Sequence, residues 1–94
     1  MSNVLYAQIA AKIISGQETI IGPVAVEQAR RVSGMHVDWD KHEVDIDGNE
    51  AQAINDLIAV YKELFGQISV EVSKEAAATL LGKLSPSEVP ETLK

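Results

Sequence analysis

His36, Asp38, Asp40 and His42 set imidazoles and carboxylates two residues apart. In an extended chain alternate side chains share a face, so His36 and Asp38 can stand together, and a hairpin can bring Asp45 or Asp47 across to them. Imidazole nitrogen beside carboxylate oxygen is a donor set for zinc or another divalent ion. His36, Asp38, Asp45 and Asp47 are therefore the candidate metal ligands. Polar groups at every second residue are also what any half-exposed strand shows, and that reading explains the same residues without an ion.

The other chemistry-bearing residues carry less. Asp45-Ile46-Asp47-Gly48-Asn49-Glu50 invites a calcium loop, but setting Gly48 at the loop's glycine puts Ile54 where a bidentate glutamate is required. A strand end followed by a helix cap accounts for the segment. Glu27 and Glu71 each stand near the start of an expected helix, where paired carboxylates could do acid–base work if burial separated their pKa values. Acids in a first helical turn also complement the helix dipole, and both need only that. The chain has no cysteine, which removes disulfides, thiolate catalysis and cysteine-zinc sites. The Gly22-Pro23 element lacks the glycines and Lys-Ser/Thr of a phosphate loop. No enzyme activity and no cofactor is expected. Trp39 is the single tryptophan and a candidate partner anchor, although with Val37 and Ile46 beside it the core claims it more naturally. Arg30 and Arg31, with Lys41, form the local basic cluster and are the other candidates for partner contact.

These residues need elements to position them. Ser2 or Asn3 can cap a helix in which Val4, Leu5, Ile9, Ala10, Ile13 and Ile14 recur at helical spacing. Gly16 weakens that helix without ending it. Gly22-Pro23 is punctuation, and proline at a first helical position starts a second helix through Val24, Ala25, Ala29 and Val32, ended by Ser33-Gly34. The period then changes to two. Val37, Trp39, Val44 and Ile46 alternate with polar residues, which predicts two strands over 36–47 with Asp40-Lys41-His42 as the hairpin loop. The apolar face should lie on the helices, and His36, Asp38, Glu43, Asp45 and Asp47 should face water. Asn49 with Gln52 resembles a capping box for a third helix from about Glu50 to Phe65. A break at Gly66 leads to a fourth helix, from about Gln67 to Leu81, which Gly82 caps. Residues 85–94, with Pro86 and Pro90, are expected to form a mobile tail.

An internal repeat relates these elements. An offset of 44 residues places Gly22 over Gly66, Ala7-Gln8 over Ala51-Gln52, Ile14 over Ile58 and Val26-Glu27 over Val70-Glu71. Each copy reads as two large apolar residues, glycine, any residue, Val or Ile, a small residue, Val, Glu. Each is a helix, a glycine turn and a second helix, with the large apolar pair plugging the junction and Ala25 or Ser69 letting the helices approach. Two such units can pack about a pseudo-twofold axis with the hairpin as connector. The alignment also extends the first helix to about Thr19. Ile21-Gly22-Pro23-Val24-Ala25 resembles the Ile-Gly-Pro-Ile/Val-Ala signature of small helical modules that end some bacterial signalling chains. That resemblance covers only the residues around Gly22, and it implies interaction rather than catalysis. In the second copy Gln67 replaces the proline and Ser69 the alanine, and the resemblance carries over no functional residue.

At 94 residues, 46% hydrophobic and 23% charged, the chain suits one globular domain over 1–84: unit one over about 3–33, a hairpin over about 36–47 and unit two over about 49–82. With only 4% aromatic residues the core must be aliphatic. A net charge of -6 argues against nucleic acid and anionic membrane as partners. No apolar run approaches the roughly 18 residues of a membrane span, and Lys12 interrupts the apolar start, so a cytoplasmic location is expected. The expectation is an α-dominant α+β domain of two helix–glycine–helix units around a β-hairpin. Its expected role is a non-catalytic protein-interaction or regulatory module, with a homodimer among its forms of association. The alternative is a small-ligand or divalent-metal-binding domain using the acidic hairpin face.

Overall fold

The computed structural model describes residues 4–94. The expected cap at Ser2 or Asn3 lies outside the described residues. The elements run α1 (Val4–Ile21), α2 (Val24–Ala29), β1 (Met35–Asp38), β2 (Glu43–Ile46), α3 (Glu50–Phe65) and α4 (Gln67–Leu81), followed by two single 3-10 turns, Pro86–Glu88 and Glu91–Leu93. The protein is mostly helical with one antiparallel two-stranded hairpin, an α-dominant α+β fold.

The core lies between α1 and α3, where Ile9, Ile13, Ile14, Ile54, Leu57, Ile58 and Tyr61 are fully buried. Their three- and four-residue spacing puts them on one stripe of each helix. α1 also runs antiparallel to α4 at close range. A Cβ at Gly16 would meet the Ala76 Cβ at 3.1 Å and Val72 Cγ1 at 3.7 Å. Gly16 therefore serves packing, and the helix continues through it to Ile21, beyond the expected end near Thr19. The hairpin register pairs Met35 with Ile46, His36 with Asp45, Val37 with Val44 and Asp38 with Glu43. Met35, Val44 and Ile46 face inward and are buried, while His36, Asp38, Glu43, Asp45 and Asp47 are exposed, as the alternation predicts.

Several boundaries differ from expectation. α2 stops at Ala29 instead of reaching Val32. From there the amides of Arg31, Val32 and Met35 bond three residues back, a tighter winding that turns buried Val32 and Met35 into the core and delivers the chain to β1. Pro23 is the N-cap of α2 and stands just before its first turn. The hairpin loop takes four residues, Trp39 to His42, with His42 at φ 54. Asn49 caps α3 by accepting from the Gln52 amide at 3.0 Å, but the Gln52 side chain donates to Asp56 instead of closing the box. Gly82 ends α4 in a right-handed conformation, φ -64, and the chain leaves through 3-10 turns.

The segment 85–94, expected to be a mobile tail, is packed. Its first turn is closed by a capping box between Ser85 and Glu88, whose carboxyl is held below its ordinary range by the Ser85 donors. Tyr6 donates to the Glu88 carbonyl at 2.6 Å, and the Asn55 side-chain oxygen accepts from the Thr92 amide at 3.0 Å and its hydroxyl at 2.8 Å. Leu93 is buried and Pro90 fully so. Few as they are, the apolar residues of this segment sit where they cover α3 and α4.

Candidate interaction face

The hairpin brings part of the metal set together. His36 lies opposite Asp45, and its Nε2 stands 2.7 Å from Asp47 Oδ2 just past β2. Asp38 is paired instead with Glu43, two residue pairs further toward the loop. Both members of the His36–Asp47 pair are largely exposed, at 63% and 71%. Among the described residues no group of three or more histidines and acids is placed to share an ion. A shallow concavity of about 270 Å³ lies over His36, Asp38, Glu43 and Asp45, a solvent-facing strand surface.

Trp39 is half-buried against the core, with its ring tilted 51° on His42 and their centroids 4.5 Å apart. Its indole N–H donates to Glu18 Oε2 at 2.9 Å. Its polar edge is thus satisfied from α1, and the residue pins the hairpin loop to that helix. Arg30 and Arg31 are exposed just beyond α2. Glu27 lies in the first turn of α2, while α4 begins early enough that Glu71 falls past its first turn and accepts from Gln67 at 3.3 Å. Both acids are exposed.

The residues around the two glycine turns form the most distinctive surface. Gly22 (φ 74) and Gly66 (φ 81) both adopt the left-handed conformation that side chains disfavour. Gly22 donates to the Glu18 carbonyl at 2.9 Å and Gly66 to the Lys62 carbonyl at 2.8 Å. The Ala25 amide returns to Gly22 and the Ser69 amide to Gly66, each at 3.1 Å. Across the core, Gln17 Nε2 donates to the Ser69 carbonyl at 2.9 Å and Tyr61 OH to the Ala25 carbonyl at 2.6 Å. Each donor and acceptor is 44 residues from its counterpart, so each unit reaches into the other's glycine turn through a buried hydrogen bond. Burial follows the same offset from Ala7 to Val32, differing only at Glu18, Gly22, Arg30 and Val32.

This exchange brings the ends of α1 and α3 and the starts of α2 and α4 to one end of the molecule. Gln17 stands one turn before Ile20 and holds the residue after Ile68. Tyr61 stands one turn before Leu64 and holds the residue after Val24. Ile20 is 62% exposed, Leu64 52%, Ile68 67% and Val24 38%. The apolar pairs before the glycines were expected to plug the junctions, but only their second members, Ile21 and Phe65, pack against the core. Adjacent residues on a helix point about 100° apart, so Ile20 and Leu64 face outward when Ile21 and Phe65 face in. That geometry was available from the pattern itself as the signal for this face.

No protein-family model matches the chain, and neither the curated proteins nor the solved structures contain a match.

Proposed function

We propose that this chain is a non-catalytic protein-interaction or regulatory module, working through the end of the molecule that carries Ile20, Val24, Leu64 and Ile68. The observation that carries this reading is the exposure of those four large aliphatic side chains at one end of so small a domain. Single exposed apolar residues are ordinary, but four on helix ends held at one end of the molecule supply the apolar side chains of a contact surface. Their recurrence at the same offset as the buried pattern also supports an internal duplication, in which each copy contributes one apolar pair. Net charge of -6 favours protein over nucleic acid as the partner. Among the described residues no helix is long and apolar enough to cross a membrane.

The test is capture from lysate of the source organism on the immobilised chain, in parallel with an Ile20→Ser/Ile68→Ser variant of unchanged far-UV circular dichroism. A partner held by the native chain and released by the variant is expected. Identical capture by both would remove the reading.

A further inference from the structure

We infer that the occupant of this face is an amphipathic helix with an aliphatic stripe and lysine or arginine on its flanks. The inference rests on the interaction reading above and adds the chemistry of the partner.

The argument is charge complementarity around the apolar group. Within one helical turn of Ile20, Val24, Leu64 and Ile68 lie exposed Glu27, Glu63 and Glu71 and half-exposed Glu18, against the one cation Lys62. The Glu18 carboxylate accepts from the Trp39 indole, a neutral group that brings no positive charge to the border. The apolar group is thus bordered by an excess of negative charge, in a molecule that is acidic as a whole. Such a border raises the local concentration of cations and penalises an acidic partner.

A second copy of this chain fits the border poorly. Meeting face to face, two copies would bring one acidic border against another, with one lysine from each to offset them. The apolar group is also small beside the roughly 800 Å² per partner of a standard protein interface. A single helix lying across it needs less. The side chains at i, i+3 or i+4 and i+7 of such a helix form one stripe that four clustered aliphatic groups can cover, and its basic flanks then meet the glutamates.

The experiment titrates the chain with two labelled synthetic helical peptides and follows fluorescence anisotropy. Both carry the same leucine stripe, one with lysine and the other with glutamate at the flanking positions. The lysine peptide should bind, at least about tenfold more weakly to Ile20→Ser/Ile68→Ser, which changes no charge. The Glu27→Gln/Glu71→Gln variant should weaken it and flatten its salt dependence. Unchanged affinity in the serine variant would reveal unspecific attraction to an acidic protein and overturn the inference. Equal binding of the glutamate peptide would overturn it too. Sedimentation of the unliganded chain provides the remaining arm. Self-association abolished by the serine substitutions, without peptide binding, would make a second copy the occupant and overturn the inference while leaving the interaction reading intact. An inert face in every arm would overturn the inference, and lysate capture indifferent to the same substitutions would separately overturn the interaction reading.

Discussion

Tyr61 concentrates most of what a single side chain does in this fold. Its ring is fully buried and its hydroxyl donates to the Ala25 carbonyl. Burial pushes the phenol pKa well above its ordinary value, because a phenolate there would lose its water. Tyr6 is raised as well, first by burial and then by the charges of Glu88 and Glu50. These are the only two tyrosines. Below the ordinary phenol value of about 10 both remain protonated, folded or unfolded, and their contribution to stability is constant. Above it the unfolded chain releases protons that the folded chain keeps, so stability falls until the folded values are reached. Tyr61→Phe should cost about 1 kcal/mol at neutral pH, from the lost buried hydrogen bond, and should make the alkaline loss shallower. Urea unfolding at a series of pH values measures both. A variant as stable as the native chain and equally alkali-sensitive would mean that Tyr61 plays neither part.

At the scale of elements, α1 is held from two sides with different tolerances. On the α4 side Gly16 admits almost nothing, since Ala76 Cβ belongs to a short side chain that cannot swing away. Gly16→Ala should be close to neutral, because a helix-propensity gain of about 1 kcal/mol offsets the tight contact. Gly16→Val should destabilise by about 1–3 kcal/mol through overpacking, read as a lower urea midpoint at unchanged slope. On the other side the C-terminal segment contributes through Tyr6, Asn55 and Leu93. Leu93 is buried, and Leu93→Ala should cost about 2–5 kcal/mol. A cost near zero would return residues 85–94 to a loose tail.

For the whole molecule, the exchanged hydrogen bonds decide whether the two units are independent. Gln17 is buried and donates both to the Ser69 carbonyl and to Ser73 Oγ at 3.1 Å, while Tyr61 reaches the other way. Neither glycine turn is complete without the opposite unit. Unfolding should therefore be one cooperative event, with Trp39 fluorescence and far-UV circular dichroism tracing coincident transitions. Separate midpoints would mean that the hairpin and one helical unit can melt while the rest stands. The same interlock holds Ile20, Val24, Leu64 and Ile68 on one rigid end, which suits recognition because little ordering entropy is lost on binding.

The amino-acid sequence by itself determined the four helices, the hairpin and its inward face, because periods of 3.6 and two are properties of local geometry. It also determined the turns at Gly22 and Gly66, where a backbone conformation excludes most side chains. It placed His36 within reach of Asp45 and Asp47, since strand alternation and a short loop leave little choice. Only the tertiary structure decided that Asp38 stands apart from Asp47, because that depends on register. The sequence underrated residues 85–94, whose prolines read as loose but whose Leu93 and Pro90 are buried where the segment meets α3 and α4. It likewise led to Ile20 and Leu64 as junction plugs, when the orientation of Ile21 and Phe65 toward the core turns them outward. Which apolar residue is covered is a question of what stands opposite it, and that is settled by long-range packing such as the reach of Gln17 to Ser69 and of Tyr61 to Ala25.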